Sequence, residues 1–530
     1  MKAQKGRFAR LFSWYPADSL IRPGLMDKII PLNPQQTSGG HDDGLICIQS
    51  VPDKFFFLLF GLIRQQLRLH LRVKVDLIPV RAISGAVGVG WLANFKRWSV
   101  LTWWWLSQWE RAWGANKVGL AYRCAAIFQP VSDLRDWHRS KSLWIAFRRQ
   151  KDDFHLQIGD IEIGDMVVDS YLRFRPSPKF DVHDPFIRHI IWQALRDEKQ
   201  ATRYFRRNKP RFYLSSYSSY IEHGVTVRVA LKHGVPVYTF GDLARFGKKL
   251  NLRDVFHTID YTHFRADFER MDHQETRLAE AKTQLEVRLG GGIDAGTSYM
   301  RQSAYGKSQV VLPPNFNGSA VIFLHDFYDS YNAYPDLIFC DFWQWICFTI
   351  ETLAAAEIKF YMKAHPNQID LSDAVMADLR KKYPKAQWLP AGLNNVQLVQ
   401  AGMICGVTAY GTVSNELAYM GIPTIGYGKH PHHSFEFCRT AKSREEYKAM
   451  LLSPELLPID KSEMKKQALI YYYMRNLYGS ADEVALRHAF IQLWRVCNIA
   501  SGEDHELLEV MQNLSAQTGF RNFVHDLASQ

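Results

Sequence analysis

The sequence predicts an α/β protein with two Rossmann-like domains that face a cleft, followed by a helical C-terminal tail. Three observations support this prediction. The chain has 530 residues, which is more than one ordinary core needs. Apolar strand-like runs alternate with helical patterns over residues 165–240 and again over residues 320–428. A charged, then glycine-rich stretch at residues 265–310 separates the two alternations and is typical of a linker.

These patterns divide the chain into an irregular lead-in, two Rossmann-like domains joined by a helical and glycine-rich linker, and a set of terminal helices. The lead-in is rich in proline, glycine and polar residues, and the tail carries apolar helical faces. The expected segments, in that order along the chain, are residues 1–50, 51–264, 265–315, 316–460 and 461–530.

The composition is that of a globular protein with anionic partners. Apolar residues make up 47% and charged residues 22% of the chain. The formal net charge is +12, but no run of like charges is long enough to make a nucleic-acid-binding tail. The seven cysteines form no CxxC pair, and the N-terminus lacks the apolar core of a secretory signal. We therefore expect no disulfide framework, no metal site and no nucleic-acid partner.

One segment bears on the cellular location. No stretch of 18 apolar residues occurs, so no transmembrane helix is expected. Seven of the 15 tryptophans fall within residues 91–113, among Lys96, Arg97 and Arg111. This mixture fits a membrane–water interface and equally fits a tryptophan-rich core helix. We expect a cytoplasmic protein and leave open a peripheral contact with the inner face of the cytoplasmic membrane.

The stretch GVTAYGTVSNELAYMGIPTIGYG, residues 406–428, places hydroxyls where a buried strand ends and a helix begins. Ligands of doubly wound sheets bind at such strand ends, and a helix N-terminus favours phosphate. Thr408, Thr412 and Ser414 offer hydroxyl donors, and Glu416 lies where it can accept hydrogen bonds from ribose hydroxyls. The alternative is a capping box between Thr412 or Ser414 and Glu416.

The stretch MKAHPNQ, residues 362–368, forms a second candidate. Lys363 and His365 come at the carboxyl end of a predicted strand. Pro366 ends the hydrogen-bond ladder of that strand and favours an extended backbone at His365. These cations can bind a diphosphate or stabilise a nucleotide leaving group. The alternative is a surface loop.

His325 and Asp326 follow the first strand after the linker, so we expect both side chains to face the crevice between the domains. The alternative is a solvated loop in which an aspartate caps a helix.

In the N-terminal half, Asp169 and the pair Glu222 and His223 also follow predicted strands. A carboxylate or imidazole there can take the proton of an attacking hydroxyl, so these three are the candidate bases. The alternative for Glu222 and His223 is the opening turn of a helix.

Together, KFYMKAHPN (residues 359–367) and residues 406–428 resemble motifs of bacterial capsule and lipopolysaccharide biosynthesis glycosyltransferases of the GT-B fold. They are similar to the Lys-x-His-Pro strand end and the hydroxyl-rich loop and helix of the capsule polysaccharide synthesis family, which includes Kdo transferases that use CMP-Kdo. Bacterial sialyltransferases share a similar His-Pro motif and Ser/Thr motif. The resemblance covers roughly residues 320–450.

The resemblance implies a metal-independent glycosyltransferase without a cofactor, whose C-terminal domain holds a nucleotide-sugar co-substrate. Lys363 and His365, with Thr412 and Ser414, would bind the donor phosphate, and Glu416 would bind ribose. The acceptor, a glycan or lipid-linked glycan of a growing surface polysaccharide, would enter through the N-terminal domain. CMP-activated ulosonic acid and UDP- or GDP-hexose donors both remain open.

Two other classes of function remain. One is a nucleotide-sugar epimerase or polyol-phosphate transferase on a similar frame, and an epimerase would need no acceptor. The other is a non-catalytic scaffold of envelope assembly, in which the candidate bases can be lost without consequence.

Overall fold

The computed structural model shows an α/β protein with two mainly parallel sheets and a helical C-terminus, which confirms the predicted fold class. Residues 1–43 of the expected lead-in, the tryptophan-rich segment and Pro366 lie outside the described residues, whereas Leu45–Ser50 at the end of that lead-in forms a strand. The described residues are 44–51, 53–80, 83, 130–151, 154–175, 177–300, 303, 305, 306, 310–327, 330–365, 371–499 and 504–530.

The first sheet has the strand order β2-β1-β5-β6-β7, in which only the β6–β7 pair is antiparallel. A two-stranded antiparallel hairpin, β3 (Gln157–Ile158) and β4 (Ile161–Glu162), lies outside it. The strands of the sheet are β1 (Leu45–Ser50), β2 (Lys74–Pro79), β5 (Tyr213–Ser215), β6 (Val237–Thr239) and β7 (Lys248–Leu250).

The helices that belong to this half begin with one that contains the apolar run FFFLLFGLI, residues 55–63. The run FFFLLFGLI is helical, because Asp53 caps it by accepting from the backbone N–H groups of Phe55 and Phe56. The helices are α1 (Lys54–Leu67), α2 (Pro130–Phe147), α3 (Gly164–Phe174), α4 (Phe186–Arg207) and α5 (Ile221–Lys232).

The second sheet is wholly parallel, with the order β10-β9-β8-β11-β12-β13. Counted from its own first strand this is the order 3-2-1-4-5-6 of a doubly wound fold, whose crevice opens where the order reverses, between β8 and β11. The strands are β8 (Ala320–Phe323), β9 (Phe360–Lys363), β10 (Gln387–Trp388), β11 (Cys405–Val407), β12 (Thr424–Tyr427) and β13 (Cys438–Ala441).

Helices precede, connect and follow the strands of this second sheet. Among the described residues, two come before β8, in or at the start of the predicted linker, and five follow β13. In chain order they are α6 (Phe264–Glu269), α7 (Gln274–Leu289), α8 (Phe342–Ala355), α9 (Leu371–Lys382), α10 (Asn395–Gln400), α11 (Val413–Tyr419), α12 (Arg444–Leu451), α13 (Lys461–Asn476), α14 (Ala481–Asn498), α15 (Asp504–Ala516) and α16 (Thr518–Ser529).

The tail returns to the first half of the molecule. One buried apolar cluster contains residues of α1 and Phe240, the residue that follows β6. The terminal helices contribute Phe490 of α14, Leu514 of α15 and Phe520 of α16 to the same cluster. By contrast, α13 packs on α7 and α11 beside the second sheet. Within the described ranges, no helix is both long and apolar enough to cross a membrane.

One prediction about local structure is wrong. Asp169 does not follow a strand, because it lies in the middle of α3. Met166, Val167 and Tyr171 recur at helical spacing and are buried against the core, so the helix period governs this segment.

The two halves are joined by direct hydrogen bonds. Asp169 accepts from the hydroxyl of Ser330 at 2.6 Å and from the backbone N–H and side-chain amide of Asn332 at 3.0 and 2.8 Å. Asp341, which caps α8, accepts from the backbone N–H of Phe180 at 2.7 Å. These buried carboxylates fix how the loops of the two sheets meet.

Candidate functional site

A cavity of about 200 Å³ opens at the carboxyl edge of the second sheet, and we call it the sheet-edge cavity. Its walls come from the ends of β8, β9 and β11, from α7 and the segment that follows it, and from α13. Six residues singled out from the sequence line it: His325, Lys363, His365, Thr408, Thr412 and Glu416.

His325 and Thr408 meet at the point where the strand order reverses. The Nε2 atom of His325 lies 3.0 Å from the Thr408 hydroxyl, and the backbone N–H of Tyr410 points to the same nitrogen at 3.4 Å. The imidazole stacks on Phe342 with ring centres 4.9 Å apart. Burial, and then the charge of His365, lower the pKa of His325 to about 3. The ring is therefore neutral near pH 7 and ties two strand ends together.

Lys363 and His365 bring basic side chains to the same cavity. The Lys363 ammonium lies 5.9 Å from the ring centre of Phe323 and forms no ion pair with any described residue. Burial lowers the pKa of Lys363, and Glu416 opposes this effect. Burial also lowers the pKa of His365, while Asp326 raises it and Lys363 lowers it further.

The loop from Thr408 to Thr412 forms another wall. The Thr408 hydroxyl accepts from the backbone N–H of Gly411 at 3.1 Å. Thr412 stands exposed where α11 begins, and no side chain caps this helix, so the capping-box alternative is wrong. Ser414 does not line the cavity, because its hydroxyl is buried 3.9 Å from the thiol of Cys438 on β13.

Glu416 is held in a buried network that reaches into the predicted linker. Its Oε1 accepts from Arg288 at 3.1 Å, and its Oε2 accepts from the Tyr305 hydroxyl and, at 3.2 Å, from the Asn395 amide. Arg288 also donates from Nε and Nη2 to Asp294. Burial would lower the pKa of Arg288, but the two carboxylates outweigh it and raise that pKa. Both oxygens of Glu416 therefore already have protein donors.

Three polar groups of this cavity lack a full set of partners among the described residues: Arg475 and the side-chain carbonyls of Asn395 and Asn415. Arg475 of α13 donates to the Tyr471 hydroxyl at 3.0 Å, yet no carboxylate of the described chain lies within ion-pair distance of it. The side-chain carbonyl of Asn415, a residue only 2% exposed, accepts no hydrogen bond from the residues that the structure describes. A buried acceptor and an unpaired cation are costly unless a ligand satisfies them.

A second cavity, of about 470 Å³, lies between the two halves, and we call it the interdomain cavity. It adjoins the first, since Gly296, Tyr299, Arg475 and Asn476 line both. Loops behind strands of both sheets and the terminal helices form its walls. Residues that carry chemistry there are Tyr217, Asp242, His257, Tyr334, Tyr410 and Arg487.

The three predicted bases line neither cavity. Asp169 is 2% exposed and fully hydrogen-bonded, and burial raises its pKa to about 7. His223 lies near the reversal point of the first sheet, where its Nδ1 faces the Ser216 hydroxyl and the Gln49 carbonyl, each at 3.2 Å. Its Nε2 lies 3.4 Å from Glu222. Their role as bases stays a prediction.

Asp326 also lies outside both cavities. It accepts from the buried hydroxyl of Ser372 at 3.0 Å, and its charge raises the pKa of His365.

Sequence reasoning missed several residues of the two cavities. Asp242 follows β6, so the rule that selected His325 would also have selected it. Nothing local points to His257, Arg288 or Arg475, because they belong to a loop and to helices whose positions depend on packing. No group of three or more His, Cys, Asp or Glu side chains within the described ranges could hold a metal ion.

Comparisons with known proteins give little further information. No family model and no curated protein matches the chain. Among solved structures, the chain is similar to the glycotransferase of kitacinnamycin, with 12% identity over 92% of this chain and all of that one, at a TM-score of 0.20. A likeness at that score establishes neither a fold nor an activity. The assignment to the doubly wound α/β class therefore follows from the strand order alone.

Proposed function

We propose that the protein is a glycosyltransferase that moves a sugar from a nucleotide-activated donor to a growing surface polysaccharide, of the capsule or lipopolysaccharide type. One observation carries this proposal. At the reversal point of a doubly wound sheet, Lys363 and Arg475 face one cavity without a carboxylate partner among the described residues. Cations in such a position favour an anionic ligand, and a nucleotide phosphate is the anion that this sheet edge commonly binds.

The donor phosphate would lie between Lys363, His365 and the loop that carries Thr408 and Thr412. The ammonium and the hydroxyls supply donors to phosphate oxygens. Asn395 and Asn415, whose carbonyl oxygens have no partner among the described residues, supply acceptors for donor groups of the nucleoside. Glu416 retains only its remaining lone pairs for ribose, since Arg288, Tyr305 and Asn395 already bind both its oxygens.

In the reaction, an acceptor hydroxyl attacks the anomeric carbon and the bond from that carbon to the phosphate oxygen breaks. The electron pair leaves with the phosphate, where negative charge increases. Lys363 and Arg475 are placed to stabilise that charge. We therefore propose transfer that needs no bound metal, as the resemblance implies.

The acceptor would occupy the interdomain cavity, whose tyrosines Tyr217, Tyr334 and Tyr410 offer faces for sugar rings. A contact with an anionic membrane surface is part of the proposal, and the exposed side of α2 supports it. Its acids, Asp133 and Asp136, are ion-paired to α4. Its solvent side presents the exposed cations Arg135, Arg139 and Lys141 beside the apolar Val131 and Leu134.

The test is a thermal-shift screen of the protein with CMP, UDP, GDP and CDP, repeated for Lys363→Ala and His365→Ala. A ligand that binds only the folded state raises its stability as ln(1 + [L]/Kd). We expect one nucleotide to shift the wild type and the shift to fall strongly in both variants. Lys359→Ala is the matched control, because this exposed lysine lies just before the opposite end of β9. No shift with any nucleotide, or equal shifts in all three variants, would refute the donor site.

A further inference from the structure

The side chain of His257 lies on the wall of the interdomain cavity. Its Nδ1 faces the hydroxyls of Ser218 and Ser219 at 3.4 and 3.3 Å. The hydrogen bonds that the described residues make with this ring both end on Nδ1 and none ends on Nε2. A side chain so placed can exchange a proton with a bound ligand.

The segment around His257 is held on both sides. Lys248 donates to the carbonyl of Phe256 at 2.8 Å and to that of Thr258 at 2.5 Å, and it is ion-paired with Asp254 at 2.8 Å. These contacts fix the backbone immediately before and after His257, as a base that must meet one hydroxyl requires.

Neighbouring rings fix the imidazole itself. The ring of Tyr217 packs edge to face on His257, with centres 5.3 Å apart. A Cβ atom at Gly241 would lie 2.5 Å from Tyr217 and 3.0 Å from the His257 ring, so only glycine fits between β6 and this pair.

Asp242 supports the same wall. Its oxygens accept from the backbone N–H groups of Ala244 at 2.8 Å and Ile259 at 3.1 Å, which ties the end of β6 to the His257 segment. The carboxylate also acts on the imidazole through its charge. Burial lowers the pKa of His257 to about 4, Asp242 opposes this, and Lys248 and His223 add to it. The ring is therefore neutral near pH 7, and the Asp242 carboxylate favours its protonated form.

We infer that His257 is the base that removes the proton from the acceptor hydroxyl, and that Asp242 is its positioning residue. This rests on the proposed function. As the acceptor oxygen attacks the anomeric carbon, its proton passes to Nε2 of His257. The bond from the anomeric carbon to phosphate breaks with its electron pair, so a glycoside and a nucleotide are formed. The imidazolium then returns its proton to water.

Position distinguishes His257 from the bases predicted from the sequence. It shares a cavity with Arg475, which also lines the proposed donor site. Asp169 uses its oxygens to join the two halves, and Glu222 and His223 line neither cavity.

The test measures nucleotide release from UDP-glucose, GDP-mannose and CMP-Kdo, with water or added glycan as acceptor, in wild type and His257→Gln. The nucleotide thermal shift is recorded in parallel to report the donor site. We expect an unchanged shift and a loss of turnover of about 100-fold or more in His257→Gln. His263→Gln, in an exposed turn a few residues away, is the matched control and should retain full turnover.

The outcomes separate the two proposals. Turnover within about twofold of wild type in His257→Gln, or turnover lost only in Glu222→Gln or His223→Gln, would overturn the role of His257 and leave the glycosyltransferase standing. A wild type that neither binds a nucleotide nor releases one would overturn both. If the wild type binds a nucleotide but shows no turnover, the protein is a nucleotide-binding protein. This result would overturn the proposed reaction and, with it, the role of His257 as the base.

Asp242→Asn tests the positioning role and replaces His257→Gln if that variant does not fold. Because Asp242 raises the pKa of His257, its loss should move the acid limb of the turnover profile to lower pH. A change in rate with an unmoved acid limb would refute this role for Asp242.

Discussion

Replacing Arg288 by methionine should destabilise the protein strongly, because this side chain neutralises two buried carboxylates at once. Its Nε and Nη2 donate to Asp294 at 3.1 and 2.8 Å, and its Nη1 donates to Glu416 at 3.1 Å. The side chains of Arg288, Asp294 and Glu416 are 8%, 0% and 10% exposed. Removing one partner of a buried ion pair costs about 3–5 kcal/mol, and methionine keeps most of the volume.

The cost should depend on pH. Burial raises the pKa of Asp294, but Arg288 outweighs it and holds that pKa below its usual value. In the wild type this contribution is present above the unfolded pKa, about 3.9, and is lost only as the pH falls further. Without Arg288, burial is opposed only by the hydrogen bonds from Thr297 and Tyr472, so Asp294 takes up a proton at a higher pH than in the wild type. The difference between wild type and Arg288→Met should therefore be largest near pH 8 and shrink toward pH 5.

The assay is urea unfolding followed by circular dichroism at pH 8 and pH 5. Arg270→Met is the matched control, since Arg270 is 76% exposed and pairs with Asp267 on the surface, so its loss should cost less than about 1 kcal/mol. A loss below about 1 kcal/mol for Arg288→Met at pH 8, or a loss that grows toward pH 5, would refute the reasoning.

Two further predictions concern Asp169 and the exposed side of α2. Because burial raises the pKa of Asp169 from 3.8 to about 7, the folded state binds its proton more tightly, and wild-type stability should fall as the pH rises from 5 to 8. Asp169→Asn should flatten this slope, worth on the order of 2–4 kcal/mol, in thermal melts across that range, and an unchanged slope would contradict it. The double variant R135E/R139E should lose most binding to vesicles that contain phosphatidylglycerol, measured by co-sedimentation in low salt. The control K381E/K385E reverses the same charge elsewhere and should still bind, and equal losses would show that net charge alone decides.

Much of the second half could be predicted from the sequence. The alternation that ends at Lys363, the apolar run before Thr408 and the helix that contains Glu416 all form the expected elements. The reason is that short apolar runs between turn residues are typical of strands that are buried in a parallel sheet. The same rule placed His325, Lys363 and Thr408 at one sheet edge, because parallel strands end together.

In the first half, the rule that polar residues after an apolar run lie at a strand end predicted the structure less well. Asp169 was expected after a strand, yet α3 runs through it, since an apolar run of this length fits either period. His223 does follow a strand and does begin a helix, but the chain turns it toward Gln49 and away from both cavities.

The sequence by itself determined the class of fold, the edge of the second sheet where the basic and hydroxyl side chains gather, and the order of the elements that carry them. Only the tertiary structure decided which charges are satisfied. Arg288 lies 128 residues from Glu416 and binds it, whereas Arg475 reaches both cavities and meets no described carboxylate. The periods of strands and helices can be recognised from residues that are neighbours in the sequence. The pairing of distant charges instead depends on how the helices pack on the sheets.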